Sequence, residues 1–358
     1  MKAITVIPKT QGTLREMDVP LPVPGKREVL LRVLRVGICG TDRDIISGFY
    51  GEAPAGSEYL ILGHESLCRV EKLGPGVTGL KKGDLVVPTV RRSCPENCIS
   101  CRNNQSDMCY TGDYFEHGIK GLNGFAGEFG KSDSSYIVKM PESLSEFGVL
   151  LEPLTIVEKG LVQTYNLQKA RVRWKPAKAL VLGAGPVGIL AAALLRLQGL
   201  EVDTVATRSK DSMKARLVVS TGANYINSKE TPLASLDYKY DFVFEITGSP
   251  SVAYISQDLI RVNGIVCYMG IYREDQETLN VGKVFTELVL GNKLHFGSVN
   301  ANISYFRKGA TDLARIQKKW PKLLSSMITR KAGPDDPQKI YSPESEEEIK
   351  SIVEFSPE

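Results

Sequence analysis

The strongest constraint on this chain is a glycine-rich run, Gly183-Ala184-Gly185-Pro186-Val187-Gly188, which lies between two apolar segments. Residues 179–182 have the apolar character of a buried strand, and residues 189–197 have that of a buried helix. In such a strand–turn–helix unit the first glycine makes the tight turn, the second lets the backbone approach a pyrophosphate, and the third permits close helix–strand packing. The helix N-terminus then offers free N–H groups to the anion. We therefore predict a dinucleotide-binding site formed by Gly183, Gly185, Pro186, Val187 and Gly188. The alternative is a glycine-rich turn that binds no ligand.

The segments beyond this run alternate between strand and helix. Further strand-like runs occupy residues 201–207, 240–245 and 264–268. Strands that alternate with helices predict a parallel sheet covered on both faces, which is a doubly wound α/β domain of the Rossmann type.

The first 150 residues differ, because they contain short β-type runs broken by glycine and proline, typical of a barrel-like β domain. Beyond residue 300 the chain is polar and helical and then forms a short apolar strand at residues 349–355. We predict a β-rich domain from residues 1–165 and 301–358, with the Rossmann domain, residues 166–300, inserted between its parts. Ligands are expected in the cleft between the two domains.

Composition excludes several other classes of protein. A chain of 358 residues with 42% hydrophobic content is long enough for two cores, and its net charge of +4 is too mild for a dedicated nucleic-acid binder. The N-terminal segment lacks the apolar core of a signal peptide, and no apolar run is long enough to span a bilayer. We expect a cytoplasmic protein without a membrane partner.

The position that selects between NAD and NADP falls about twenty residues after the glycine run. It is occupied by Ala206-Thr207, and no carboxylate stands there to bind a ribose 2′-hydroxyl or repel a 2′-phosphate. The side chains that could bind the phosphate are the hydroxyls of Thr207 and Ser209 and the cationic groups of Arg208 and Lys210. NADP is favoured and NAD remains possible, the alternative being that Arg208 and Lys210 are solvated loop cations.

Four cysteines, Cys94, Cys98, Cys101 and Cys109, lie close together with the spacing C-x3-C-x2-C-x7-C. Four thiolates in a short loop suit a closed tetrahedral zinc site that stabilises the fold. Paired disulfides are the alternative, but the cytosol keeps thiols reduced. A redox role is a further alternative, and we predict a structural zinc.

A second metal site is indicated by Cys39 and by His64 and Glu65 of the Gly63-His64-Glu65 segment. Thiolate, imidazole and carboxylate are all zinc ligands, and an open fourth position would make the metal catalytic. Spacing alone does not establish this site, since a cysteine and a histidine far apart in sequence are usually ordinary buried residues.

In combination these segments resemble the zinc-containing medium-chain dehydrogenases over nearly the whole chain. The segments that carry the resemblance are Gly37-Ile38-Cys39-Gly40-Thr41-Asp42, Gly63-His64-Glu65, Lys82-Gly83-Asp84, the four-cysteine loop and the glycine run. Within that family the chain is most similar to the archaeal aldose 1-dehydrogenases. The closer matches are Gly40-Thr41-Asp42-Arg43, Pro88-Thr89-Val90-Arg91-Arg92, the stretch from Phe115 to Phe125, and Glu152-Pro153-Leu154.

The resemblance implies a GroES-like catalytic domain and a role for each matching residue. Cys39, His64 and Glu65 would bind the catalytic zinc directly or through water, and Glu152 could join or leave the metal. Thr41 would receive the substrate proton, and Glu116 would bind sugar hydroxyls unless it is a surface carboxylate in a loop. The residues expected to line the nicotinamide half of the cofactor are Thr247, Gly248, Val299 and Asn300.

Four departures from the family pattern bear on specificity. The first cysteine spacing is x3 instead of x2, Cys68 replaces a glycine, and Val90 occupies a position that can be Asn. Tyr305 stands where close relatives place a substrate-contacting histidine, so we include it with Asn300 among the substrate-binding residues. The last two of these departures, at Val90 and Tyr305, argue against strict glucose specificity.

The implied activity is hydride transfer from C1 of an aldose, glucose or galactose first, to NAD(P)+, giving the aldonolactone. Two zinc ions per chain and a homo-oligomer, either tetramer or dimer, are expected. A polyol, secondary-alcohol or threonine dehydrogenase of the same family is one alternative, and a non-catalytic NADPH-binding protein is another.

Overall fold

The computed structural model describes residues 1–237, 239–272, 280–343 and 345–355. Short strands separated by glycine and proline turns form its first part. The strands are β1 (Lys2–Val6), β2 (Arg15–Asp18), β3 (Glu28–Gly37), β4 (Leu60–Ile61), β5 (Glu65–Leu73), β6 (Leu85–Pro88), β7 (Arg91–Arg92), β8 (Phe115–His117), β9 (Gly121–Leu122), β10 (Phe129–Asp133) and β11 (Ile137–Lys139). The helices of this part are α1 (Gly40–Ile46) and α2 (Ile99–Arg102), and α3 (Leu151–Arg171) follows.

Strands and helices then alternate. The strands are β12 (Lys178–Leu182), β13 (Glu201–Ala206), β14 (Asn224–Asn227), β15 (Tyr240–Glu245), β16 (Ile260–Tyr268) and β17 (Leu294–Gly297). The helices are α4 (Pro186–Leu197), α5 (Met213–Ser220), α6 (Pro250–Ser256) and α7 (Val281–Leu290). The chain ends with α8 (Ile303–Lys319), α9 (Leu323–Met327), β18 (Ile328–Ala332), α10 (Pro337–Tyr341) and β19 (Lys350–Glu354).

Two compact units result. The first comprises Met1–Thr155, Asn300–Gln317 and Leu324–Glu358, and the second comprises Ile156–Val299 and Lys318–Leu323. The division within α3 therefore falls at Thr155, ten residues before the boundary expected at 165, because a helix gives no sequence signal of a division inside it. The second division follows Val299, and Lys318–Leu323, expected in the first domain, group with the second unit.

The first unit is organised around the ten-residue strand β3, which is buried along almost its whole length. Its main sheet has the order β11-β6-β5-β3-β19-β18, and β10 also pairs with β3. Strand β5 pairs antiparallel with β3 and brings Glu65 opposite Gly37. Strand β19, from the end of the chain, pairs with the same end of β3, with Ile352 opposite Gly37. Segments far apart in sequence therefore meet at the end of β3.

The second unit contains a six-stranded parallel sheet with the order β14-β13-β12-β15-β16-β17. This is the 3-2-1-4-5-6 order of a doubly wound dinucleotide fold, and its direction reverses between β12 and β15. Strand β12 is apolar and buried from Ala179 to Leu182, as a central parallel strand must be. The glycine run follows β12 at the carboxyl edge of the sheet, where such folds bind ligands.

Among the described residues, no helix combines the length and the apolar character needed to cross a membrane.

Candidate active site

Three side chains predicted to bind the catalytic metal converge in the first unit. The ligand atoms of Cys39, His64 and Glu65 all lie within 4.8 Å of one another. Cys39 is the N-cap of α1, just after β3, whereas Glu65 begins β5, the neighbouring strand. Strand pairing therefore brings the two halves of the group together. A thiolate, an imidazole and a carboxylate at this separation fit a zinc ion with an open position.

Two glycines make room for this group. A Cβ on Gly37 would lie 3.2 Å from the Glu65 Cβ and closer still to its carboxylate. Gly63 adopts φ +89°, and a Cβ there would lie 2.7 Å from Cγ1 of Val36. A side chain at position 37 would displace Glu65, and one at position 63 would also press on the Ala126 backbone nitrogen at 3.0 Å, which explains the glycines that precede Cys39 and His64 in sequence.

Asp42 orients both neighbouring ligands, a role the sequence did not reveal. Its Oδ2 accepts a hydrogen bond of 2.8 Å from the Cys39 backbone N–H, and its Oδ1 lies 3.4 Å from Nδ1 of His64. Burial of His64 opposes its protonation, but the Asp42 carboxylate prevails and raises the pKa of His64 well above its usual value. With Nδ1 directed at an acid, Nε2 is left to bind a metal.

Lys350 is the second residue of the group that sequence reasoning missed. Its Nζ donates to both oxygens of Glu65, at 2.8 and 2.6 Å, and to the carbonyl oxygen of Ile38 at 3.1 Å. Lys350 is 2% exposed and Glu65 is 1% exposed. A lysine inside the apolar run at residues 349–355 was the available signal, because an unpaired lysine is almost never fully buried.

Glu152 and Thr41 lie beside the metal-binding residues. Burial of Glu152, in the first turn of α3, raises its pKa to about 7; His64 lowers it and Glu65 raises it. Thr41 Oγ1 lies 3.8 Å from the Cys39 sulfur, and burial raises the pKa of the neighbouring Tyr50 against an opposing effect of the Thr41 hydroxyl. The first unit thus holds a carboxyl group and a hydroxyl next to the metal-binding residues.

Glu116 is buried in strand β8, so the alternative of a surface loop carboxylate is wrong. Its Oε1 accepts hydrogen bonds from Nε of Arg91 at 3.0 Å and from Nδ2 of Asn300 at 2.8 Å. The Arg91 guanidinium also stacks on the Tyr114 ring at 3.6 Å. Two donors therefore fix the orientation of the Glu116 carboxylate.

Tyr305 belongs to a different network. It lies in α8 near Asp107, and burial followed by the charge of Asp107 raises its pKa. Asp107 accepts a hydrogen bond of 2.9 Å from Asn302. No described contact links Tyr305 to the metal-binding group, so its role in substrate binding stays a prediction.

The four clustered cysteines form the second candidate metal site. All four sulfurs lie within 4.8 Å of one another, and those of Cys98 and Cys109 are 4.0 Å apart. Zinc–sulfur bonds of about 2.3 Å in a tetrahedron place sulfurs roughly 3.8 Å apart, so the cluster fits zinc. Backbone N–H groups of Cys101 and Tyr110 lower the pKa of Cys98 to about 6. All seven cysteines of the chain are free, which contradicts the disulfide alternative.

The glycine run in the second unit has the expected geometry. Gly183 adopts φ +112° directly after β12, and Gly185 is the N-cap of α4 with Pro186 at its first turn. A Cβ on Gly188 would lie 2.8 Å from the carbonyl carbon of Gly183 and closer still to its oxygen. A Cβ on Gly185 would meet no protein atom within 4 Å, so this glycine leaves open space in front of the helix N-terminus.

The segment predicted to bind the ribose phosphate follows β13. Thr207, Ser209 and Lys210 are exposed, and Arg208 is half-buried. The Arg208 carbonyl oxygen accepts a hydrogen bond of 2.8 Å from Tyr225. Lys210 pairs with Glu230 at 3.1 Å, so a phosphate there would compete with an exposed carboxylate.

The strand ends expected at the nicotinamide are held by buried polar groups. Glu245, at the end of β15, accepts hydrogen bonds from the backbone N–H of Thr247 at 2.7 Å and from the Thr247 hydroxyl. Gly248 adopts φ +68°, and a Cβ there would lie 2.6 Å from the Ile271 carbonyl oxygen. The buried Lys159 donates to the carbonyl oxygen of Val299 at 2.9 Å.

Comparison with known proteins identifies two family models in the chain. The alcohol dehydrogenase GroES-like domain matches residues 25–142, and the glucose dehydrogenase C-terminus matches residues 145–355. A glucose 1-dehydrogenase of Methanocella arvoryzae is 45% identical over 359 residues, covering 99% of each chain. Glucose 1-dehydrogenase 1 of Caldivirga maquilingensis is also 45% identical, covering 100% of this chain and 99% of that one.

A solved structure adds ligands to this comparison. Haloferax mediterranei glucose dehydrogenase in complex with NADP, Zn and gluconolactone has a TM-score of 0.91 to this chain, with 33% identity and 100% of both chains covered. The predicted α/β fold with a GroES-like domain is confirmed. The chain is a member of the zinc-containing medium-chain dehydrogenase/reductase family, and over its whole length it is similar to archaeal glucose 1-dehydrogenases.

Proposed function

We propose that this protein is a zinc-dependent aldose 1-dehydrogenase that transfers a hydride from C1 of the sugar to NADP+ and releases the aldonolactone. NAD+ is the second acceptor, and D-glucose and D-galactose are the first substrates to test. The observation that carries the proposal is the convergence of Cys39, His64 and Glu65 within 4.8 Å, in a chain 45% identical over its full length to a glucose 1-dehydrogenase.

The catalytic metal would be held by Cys39, His64 and Glu65, with Glu152 beside them. Bound zinc supplies a Lewis acid that lowers the pKa of the C1 hydroxyl, and bound NADP+ supplies nicotinamide C4 as the hydride acceptor. Thr41 would take up the proton of that hydroxyl while it releases its own hydroxyl proton, with Tyr50 as the neighbouring group of the relay.

Recognition of the sugar is assigned to carboxylates with fixed orientations. Arg91 and Asn300 both bond to Oε1 of Glu116, which presents the carboxylate in one orientation to substrate hydroxyls. Glu152 provides a second acceptor on the metal side. A site built to bind a particular hydroxyl rejects analogues that lack it, because its own polar groups are then unpaired.

Cofactor binding is assigned to the second unit. The open space in front of Gly185 suits a pyrophosphate, and the segment Thr207 to Lys210 suits a 2′-phosphate because it contains no acid. The structural zinc would be held by the four clustered cysteines, which brings the expected zinc content to two ions per chain.

Initial rates with aldoses epimeric at C2, C3 and C4, and with the matching polyols, test the proposal. We expect NADPH formation with aldoses and none with polyols. Glu116→Gln should lower kcat/KM for the sugar by about 100-fold, because it removes a charged hydrogen-bond acceptor. The control Glu142→Gln changes an exposed carboxylate that pairs with Arg69, and it should leave the rate unchanged.

Turnover of a polyol with no aldose active would instead support a polyol dehydrogenase. NADPH binding without turnover of any sugar or alcohol would support a non-catalytic role.

We also propose a cytoplasmic homo-oligomer. A site of four thiolates suits a reducing compartment. Helix α7 exposes four large apolar side chains, Val281, Phe285, Val289 and Leu290, and contiguous exposed apolar surface of this kind is typical of subunit interfaces. Light scattering of the purified protein should give the mass of a dimer or tetramer, and a monomer mass would contradict this proposal.

A further inference from the structure

Lys350 occupies an unusual position for a lysine, because its ammonium group is buried among the residues that bind the catalytic metal. All three of its hydrogen bonds go to two of the segments that supply metal ligands: two to the Glu65 carboxylate and one to the carbonyl oxygen of Ile38, the residue before Cys39. The side chain comes from β19, which pairs with the end of β3.

The contacts to Glu65 are the informative ones. Nζ lies 2.8 Å from one carboxylate oxygen and 2.6 Å from the other, so the ammonium group engages the whole carboxylate. A carboxylate can bind a metal through one oxygen or through both. Since each Glu65 oxygen already accepts a hydrogen bond from a cation, a metal ion must share this ligand with Lys350.

Charge reinforces this competition. Both side chains are almost completely buried, so water screens the pair very little. Within this pair the ammonium group withdraws negative charge from the carboxylate that it shares with the metal. Lys350 therefore acts against tight metal binding while it keeps Glu65 in place.

We propose that Lys350 is a positioning residue that shares Glu65 with the catalytic zinc, confines the carboxylate to weak coordination through one oxygen, and thereby keeps the metal exchangeable and its open position free. This inference rests on the proposed zinc site, but it does not depend on which substrate the enzyme oxidises. Lys350 acts on the metal through Glu65 and is not assigned a contact with substrate or cofactor.

Metal affinity, measured by competition with a chelator, tests the proposal directly. Cobalt is used in parallel because its absorption distinguishes the two metal sites. The four-cysteine site absorbs more strongly, since it has more thiolate ligands than the catalytic site. Lys350→Met should bind zinc at the catalytic site about tenfold more tightly and lose it more slowly to the chelator. It should also change the cobalt d–d spectrum, because Glu65 is then free to coordinate through both oxygens.

Two controls separate this role from simple loss of a buried lysine. Lys350→Arg keeps the charge and should bind zinc within about threefold of the parent protein. Lys159→Met removes another fully buried lysine, in the second unit, and should leave catalytic-site affinity unchanged. Weaker or unchanged zinc binding in Lys350→Met would overturn the proposal.

A comparison of two other variants covers the case in which Lys350→Met alone does not fold. Glu65→Gln should weaken zinc binding, and Lys350→Met combined with Glu65→Gln should match Glu65→Gln alone, because Lys350 acts through that carboxylate. A different affinity in the double variant would overturn the inference. If all these results are as expected and no aldose is oxidised, the proposed function fails while the role of Lys350 stands.

Discussion

Substitution of Gly188 by alanine would test how tightly the cofactor loop is packed. The new Cβ would lie 2.8 Å from the Gly183 carbonyl carbon and closer still to its oxygen. These are backbone atoms, which cannot rotate away as a flexible side chain can, so either the loop or α4 must move. Overpacking of this kind destabilises proteins by roughly 1–3 kcal/mol. We expect the free energy of unfolding to fall by about 2 kcal/mol and NADPH binding to weaken as well.

Gly185→Ala provides the matched control within the same loop. Its Cβ would meet no protein atom within 4 Å, and the local φ of −75° suits alanine. The free energy of unfolding should therefore change by less than about 1 kcal/mol. The same methyl group would occupy the space where a pyrophosphate approaches the helix N-terminus, so NADPH affinity should fall by about tenfold or more.

Urea unfolding and fluorescence titration with NADPH distinguish the two effects. The expected pattern is lost stability in Gly188→Ala and lost affinity with retained stability in Gly185→Ala. Parent-like NADPH affinity in a folded Gly185→Ala protein would refute the assignment of this loop to the cofactor. Parent-like stability in Gly188→Ala would refute the packing argument.

Three further predictions concern the metals, the cofactor and pH. Cys101→Ser should lose one zinc and melt at a lower temperature, whereas Cys39→Ser should lose activity but remain folded. Elemental analysis and calorimetry check these outcomes. Full activity and full metal content in both variants would contradict the presence of two zinc sites. Arg208→Ala should raise KM for NADP+ far more than KM for NAD+ in steady-state assays, whereas equal increases would show that Arg208 does not bind the 2′-phosphate. Burial, followed by the charge of Arg92, lowers the pKa of His117 to about 3 from its usual 6.5. In the unfolded chain His117 takes up a proton as the pH falls below 6.5, whereas in the folded protein it does so only near pH 3. The free energy of unfolding therefore decreases as the pH falls from 6.5 towards 3, by about 2 kcal/mol at pH 5. Urea unfolding of His117→Gln should show a shallower loss, and an identical pH dependence would contradict the assignment.

Much of the fold could be predicted because its signals are local. The glycine run reports the turn after β12, since Gly183 needs a positive φ and Gly188 leaves no room for a side chain. The buried run at 179–182 likewise indicates a central parallel strand. The division inside α3 could not be predicted, because consecutive residues of one helix carry the chain from the first unit to the second.

The candidate site divides in the same way. Cys39, His64 and Glu65 were identified from short motifs and a family resemblance, and the structure brings them together. Their supporting contacts are long-range: Lys350 is 285 residues from Glu65, and Asn300 is 184 residues from Glu116. Such pairs depend on which strands and loops become neighbours, and a single sequence does not report this. Only a lysine within an apolar strand was visible as a signal.

Hydride removal from C1 of an aldose can be followed with D-glucose that carries deuterium at C1. We predict that the deuterium is transferred to C4 of the nicotinamide and that unlabelled gluconolactone is released, both visible by nuclear magnetic resonance. NADPH formed without deuterium, or a product oxidised at any other carbon, would contradict hydride transfer from C1 of the sugar.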